Sequence, residues 1–307
     1  MISRKSESLM GVAMRRFLLT AVVVGLASGA SAADLPDYLR GSIPPTLSTT
    51  TRNWDGWYVG GQIGYSSANM DFSQSVVGLT NSIFRNTVLQ QPVSQLSLLN
   101  KANVQGTGFG AFVGRNYQWD DLVFGVEANY NYVNSLAGSA SASLGPLEYV
   151  NPGGQPASPN TITHYFVRLT GTAAAQIKDV ITFRGRAGWA TDNFLPYVFG
   201  GLAVGRMDVS RSVTSAVFRQ DDTITTNVFG VQTIVPGTPV KLDQLSLTSS
   251  QERTNNFVVG WTGGLGLEYM LWNCLFIRGE WEYIKFTQVM NTPITMNSAR
   301  FGVGYKF

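Results

Sequence analysis

The sequence predicts an all-β chain: an eight-stranded antiparallel up-and-down transmembrane β-barrel, with short turns at one end and long loops at the other. Three observations predict it. The last ten residues alternate cleanly, with Ala299, Phe301, Val303, Tyr305 and Phe307 on one face and Ser298, Arg300, Gly302, Gly304 and Lys306 on the other. A period of two is a strand period. Similar alternating stretches recur upstream, and their connections run long, short, long, short, long, short, medium. Finally, only 13% of the 307 residues are charged, against about 25% in soluble domains. No apolar run of about 20 residues follows the amino-terminal segment, so no transmembrane helix is available, and such a chain can still live in a membrane if it is a barrel.

The amino terminus reads as a secretory signal. Arg15 and Arg16 supply the positive region, Phe17 to Leu26 the apolar stretch, and Ala30-Ser31-Ala32 a small-x-small cleavage site before Ala33. The residues before Met14 are polar and read as an extended or misassigned start, so translation begins at Met1 or Met14. The expected organisation is a signal peptide over 1–32, an irregular lead-in over 33–53 with Pro36, Pro44 and Pro45, and a barrel over 54–307.

The first strand is Trp57 to Ser66, followed by a long polar stretch from Ser67 to Gln105. The second, about Thr107 to Trp119, turns inward Gly108, Gly110, Gly114, Asn116 and Gln118. Arg115 falls on the opposite, lipid-facing side, where a bulge or an interfacial position would accommodate it. Asp120-Asp121 makes a tight turn into the third strand, Leu122 to about Val133. Ser135 to Thr161 is rich in Ala, Ser, Gly and Pro and reads as a loop without a core. Tyr165 to Ala190 reads as one long fourth strand, because its odd-numbered apolar and even-numbered polar residues never change parity. At about 3.3 Å per residue it outruns a membrane band of about 25 Å. Thr191 to Asn193 is a turn, and the fifth strand runs from Leu195 to Val209 with apolar residues on both faces. A loop over Ser210 to Thr254 precedes the sixth strand, Asn256 to Met270. The turn Leu271 to Asn273 leads into the seventh, Cys274 to Thr287, and a connection of about ten residues to the eighth, which begins at Ser298.

The face chemistry separates this barrel from a soluble one of equal strand number. Its polar face is mostly Gly, Ser, Thr and Asn, which suits a crowded interior and would make a poor outer surface. Aromatics gather at both ends of the strands: Trp57, Trp119, Trp189, Tyr269, Trp272 and Phe307 towards the turns, and Tyr65, Tyr130, Tyr132, Phe257 and Tyr283 towards the loops. Two such girdles match the two interfaces of a bilayer. The inward face also carries Glu127, Glu268, Glu280 and Glu282 with Arg184, Arg186, Arg278 and Arg300. Buried charges persist when paired and hydrogen-bonded, so these eight residues are expected to form a lumen network of ion pairs. Eight strands enclose little more than side chains, which favours structural packing over conduction.

No catalytic, cofactor-binding or metal-binding constellation emerges, and no cofactor is expected. His164 is the only histidine and Cys274 the only cysteine, too few for a metal cluster. Cys274 reads as an apolar residue near a strand end, and His164 as a solvated residue at a strand's outer edge. A net charge of +3 without a basic patch argues against nucleic acid.

The stretches Gly56-Trp-Tyr-Val-Gly-Gly61, Phe183-Arg-Gly-Arg-Ala-Gly-Trp189, Leu195-Pro-Tyr-Val-Phe-Gly-Gly201, Gly260-Trp-Thr-Gly-Gly264 and Phe301-Gly-Val-Gly-Tyr-Lys-Phe307 resemble the porin-family outer-membrane β-barrel proteins of alphaproteobacteria, within the OmpA-like superfamily of small barrels. The terminal Tyr305-x-Phe307 resembles the assembly signal of such barrels. The resemblance covers almost all of the chain after the signal. It implies residence in the cell outer membrane, contact with its lipid and with the barrel-assembly machinery, and a non-enzymatic structural or surface role in the envelope. A small non-specific porin is the alternative. The long outer loops leave extracellular partners open.

Overall fold

The computed structural model describes residues 52–154 and 159–307. The expected signal segment, its Ala32–Ala33 cleavage site and most of the lead-in lie outside the described residues. Eight long strands form the barrel: β1 Gly56–Asp71, β2 Lys101–Trp119, β3 Leu122–Val150, β4 Thr161–Trp189, β5 Phe194–Thr226, β8 Thr248–Met270, β9 Leu275–Phe286 and β10 Ile294–Lys306. Two short strands, β6 Gln232–Val235 and β7 Val240–Lys241, lie against the outer end of β5. The hydrogen-bonded order is β4-β3-β2-β1-β10-β9-β8-β5, and β4 pairs with β5 to close the ring. β10 pairs along β1 from Lys306 opposite Tyr58 to Ile294 opposite Met70. The first and last strands therefore make the closing seam. Closure leaves no open barrel edge, which a strand assembly in lipid requires.

Several expected boundaries are corrected, among them the start of the eighth strand, which is Ile294 rather than Ser298. The stretch Ser135 to Thr161 is mostly β3, paired with β4 out to Val150 opposite His164. Its Ala- and Ser-rich composition has low strand propensity, and tertiary pairing overrides that preference. β5 extends to Thr226 and β8 begins at Thr248, inside the segment read as a loop. The first loop is shorter than expected, with β1 reaching Asp71 and β2 starting at Lys101. Between them lie two short helices, α1 Val77–Ile83 and α2 Gln90–Ser94. Neither has a side-chain amino-terminal cap. Burial of Leu79 and Val93 holds them, rather than intrinsic propensity. The single long fourth strand and the short turns at Asp120, Asp192 and Trp272 stand where the sequence puts them.

β4 does not keep one face inward along its length. Below the middle, Thr182, Arg184 and Arg186 point into the lumen and Phe183 and Trp189 point out. Above it, Val167, Leu169, Ala173, Ala175 and Ile177 point in and Arg168, Thr170 and Thr172 point out. A β-bulge between Ile177 and Asp179 inserts one residue and exchanges the faces. β3 is irregular at the same height, between Tyr132 and Leu136, and β8 between Asn256 and Arg253. Unbroken parity in the sequence thus becomes two opposite orientations in space. The lower barrel is polar inside and apolar outside. The upper barrel is apolar inside, as in a water-soluble protein.

Candidate functional site

The lumen is the candidate site, and it is filled in three tiers. At the turn end, Trp54, Tyr58, Phe112, Val123, Leu195, Tyr197, Phe199, Met270 and Phe276 form a buried cluster. The Phe276 ring stands edge-on to Tyr58 at 5.8 Å and to Trp54 at 6.4 Å between centroids. These inward rings explain why β5 carries apolar residues on both faces. They also explain inward glycines on neighbouring strands: a Cβ at Gly60 would stand 2.1 Å from the Phe112 ring, and one at Gly304 2.2 Å from Phe276.

Above this cluster all eight expected charges meet, each less than 9% exposed. β3 supplies Glu127, β4 supplies Arg184 and Arg186, β8 supplies Glu268, β9 supplies Arg278, Glu280 and Glu282, and β10 supplies Arg300. Glu127 sits at the centre. It accepts from Arg184 Nε at 2.9 Å, Arg278 Nη1 at 2.8 Å and the Tyr58 hydroxyl at 2.7 Å. Glu268 accepts from Arg186 Nη1 at 2.8 Å. Glu280 accepts from Arg184 Nη2 and from the Tyr197 hydroxyl, both at 2.5 Å. Glu282 accepts from the Thr262 hydroxyl at 2.7 Å, and its other oxygen lies 2.5 Å from Arg300 Nη2. Each of these charges has an opposite partner, which burial demands.

The polar frame around the charges was not legible residue by residue. Arg278 Nη2 donates to Gln62 Oε1 at 2.7 Å, and Gln62 donates to Asn131 Oδ1 at 2.6 Å. The guanidinium of Arg278 lies 3.3 Å from the Phe112 centroid, and those of Arg184 and Arg186 lie 3.9 Å from Phe199 and Tyr197. The charged tier therefore rests directly on the aromatic one. Inward parity, shared with the charges, is the sequence signal that could find Tyr58, Gln62 and Asn129; β5 offers no such signal for Tyr197.

The upper tier is apolar. Phe72, Leu79, Phe84, Leu89, Val93 and Leu99 from the first connection pack with Met70, Leu136, Leu169, Ile177, Met207 and Val213 of the wall. α1 reaches across the mouth to β5 and β8. Arg211 fastens this cap, donating through Nη1 to the carbonyls of Ser75 and Met290, the latter at 3.0 Å.

Three other residues singled out in the sequence find definite places. No bulge accommodates Arg115: β1 and β2 pair without a break, and its guanidinium lies 5.0 Å from the Tyr117 centroid and 5.7 Å from that of Trp57. Cys274 is a free, half-buried thiol. His164 is a correction. It is not freely solvated but held between strands, with Nδ1 2.6 Å from Glu148 Oε1 and Nε2 3.4 Å from Asp222 Oδ2. Hydrogen bonds from the Gln220 amide and the Gly237 N–H, helped by nearby His164, hold the Asp222 carboxyl below the usual carboxylate range. At the seam, the Phe307 N–H donates to the Trp57 carbonyl at 2.9 Å, and Tyr305 faces outward, half exposed.

The chain is similar to known proteins in sequence and in structure. The family model described as outer membrane protein beta-barrel domain matches residues 19–307. The 31 kDa outer-membrane immunogenic protein of Brucella melitensis biotype 1 is 23% identical over 313 residues, covering 96% of this chain and 100% of that protein. The 25 kDa outer-membrane immunogenic protein of Brucella ovis is 25% identical over 198 residues, covering 64% of this chain and 62% of that protein. Among solved structures, Neisserial surface protein A gives a TM-score of 0.33 at 13% identity, covering 82% of this chain and 97% of that one. The attachment invasion locus protein of Yersinia pestis gives 0.32 at 11% identity, covering 82% and 99%. Because the family model spans nearly the whole chain, the chain belongs to the outer membrane protein beta-barrel family.

Proposed function

We propose that this outer-membrane barrel is a non-enzymatic structural and surface protein whose lumen is a packed core rather than a pathway. The observation that carries the reading is the stacking of three dissimilar tiers along one lumen: aromatic, ionic and apolar. A hydrated ion would have to displace the Phe276 cluster, break a neutralised charge network and then cross an apolar plug. Each step removes burial or leaves a charge uncompensated. The eight charges serve to neutralise one another and to tie β3, β4, β8, β9 and β10 together. Outer-membrane lipid surrounds the lower barrel. On this reading residues 1–32 are removed before Ala33, and Tyr305 and Phe307 present the closing strand to the barrel-assembly machinery.

Single-channel recording in a planar bilayer tests the reading. The refolded, heat-modifiable barrel is expected to give no discrete steps. Reproducible steps whose selectivity shifts in Glu280→Gln or Arg300→Gln would make the lumen a pore and sink the proposal.

A further inference from the structure

The barrel end opposite the short turns carries a hairpin that nothing in the lumen requires. β5 rises to Thr226, turns through Asn227 to Val231, and returns as β6. At the apex, Val228 is 95% exposed and Phe229 87%, more than any other large apolar side chain among the described residues. The turn holds them outward. The Asn227 side-chain oxygen accepts from the N–H groups of Phe229 and Val231, each at 2.9 Å. The Gly230 N–H donates to the Asn227 carbonyl at 2.9 Å, with Gly230 at a φ of +80°, a left-handed geometry that glycine adopts without strain. From Thr223 to Val240 the sequence contains no charged residue. Around the base stand Glu148, Asp221, Asp222 and Asp243, with Arg219, Lys241 and His164.

We propose that this apex inserts into the surface of an opposing, electrically neutral lipid bilayer. Val228 and Phe229 enter the boundary between headgroups and acyl chains, while the charged base stays in water. Apolar side chains held at the tip of a hairpin that projects beyond the wall gain burial only from something ahead of them. A second copy in the same membrane points its apex the same way, alongside rather than ahead, and cannot cap it. A partner's extended strand would find at β6 only four residues before Pro236, a short edge of the kind that limits strand addition. The uncharged run offers no ion pair to a charged protein surface. The carboxylates at the base outnumber the cations, so the hairpin suits zwitterionic headgroups and disfavours anionic ones.

The test uses the full-length barrel in nanodiscs, floated with phosphatidylcholine vesicles and with vesicles containing phosphatidylserine; empty nanodiscs set the background. Co-flotation with phosphatidylcholine is expected. It should fall about tenfold in the double variant Val228→Ser/Phe229→Ser and decrease as phosphatidylserine is added. Ile234→Ser, off the apex, should float like the parent. Both variants change exposed side chains, and heat-modifiable migration verifies their folding. Absence of parental flotation, or an undiminished double variant, overturns the proposal. An equal loss in Ile234→Ser overturns it in favour of strand pairing along β6.

Discussion

At the scale of single residues, the lower lumen is governed by what each side chain does to its neighbour across the sheet. Glu127 neutralises guanidiniums from two strands and accepts the Tyr58 hydroxyl. Replacing it with Gln keeps its volume and removes its charge. Glu127→Gln should therefore cost about 3–5 kcal/mol, because Arg278 and Arg184 lose their shared counter-charge in a buried site. Urea titration of the barrel folded into vesicles would measure it. Gly60 shows a different constraint. A Cβ there would stand 2.1 Å from the Phe112 ring and 2.4 Å from the Val303 carbonyl oxygen, so Gly60→Ala should cost about 1–3 kcal/mol by overpacking. The same titration checks it, with Gly279→Ala as control, since nothing lies within 4 Å of a Cβ there. The sequence identified the charged residues through their alternation and their mixed signs. It identified the inward glycines only as small residues for a crowded interior, because the rings over Gly60 and Gly304 come from other strands.

At the scale of elements, the bulge in β4 decides which half of the strand is membrane-like. It predicts opposite accessibility for adjacent residues. In a Cys274→Ser background, Thr172→Cys should react with a membrane-impermeant maleimide added outside, and Ala173→Cys should stay unlabelled. Equal labelling would mean that the upper strand does not present its apolar face to the lumen. Alternation alone could not reveal this. Val167, Leu169 and Ile177 share parity with Phe183 and Trp189, and a one-residue insertion reverses orientation while leaving parity intact. The strand count, the short turns and the seam were legible because they rest on local turn chemistry and period-two patterning. The upper half of β3 was not, because Ala, Ser and Gly make a strand only when a long partner is already there. The helical cap was hidden for a similar reason: α1 and α2 are too short to show a helical period and owe their order to the mouth they fill.

At the scale of the whole molecule, the chain is two barrels on one set of strands. The lower one belongs to lipid, with Trp119, Trp272 and Phe307 at one rim and Tyr65, Phe257 and Trp261 towards the other. Its closure depends on β10 finding β1. Phe307→Ser should slow insertion catalysed by purified assembly machinery in proteoliposomes several-fold, while leaving the urea midpoint of the finished barrel nearly unchanged. A shifted midpoint with an unchanged rate would give Phe307 a packing role instead. The upper barrel carries its own apolar core. The β4–β5 ladder joins the two, running from Gly188 opposite Tyr197 to Thr161 opposite Thr223 with a single bulge. A pull on the outer tip would load that ladder lengthwise, so its hydrogen bonds would share the force in shear instead of opening one by one. The molecule would then act as a stiff post, passing traction at the cell surface into the wall that anchors it.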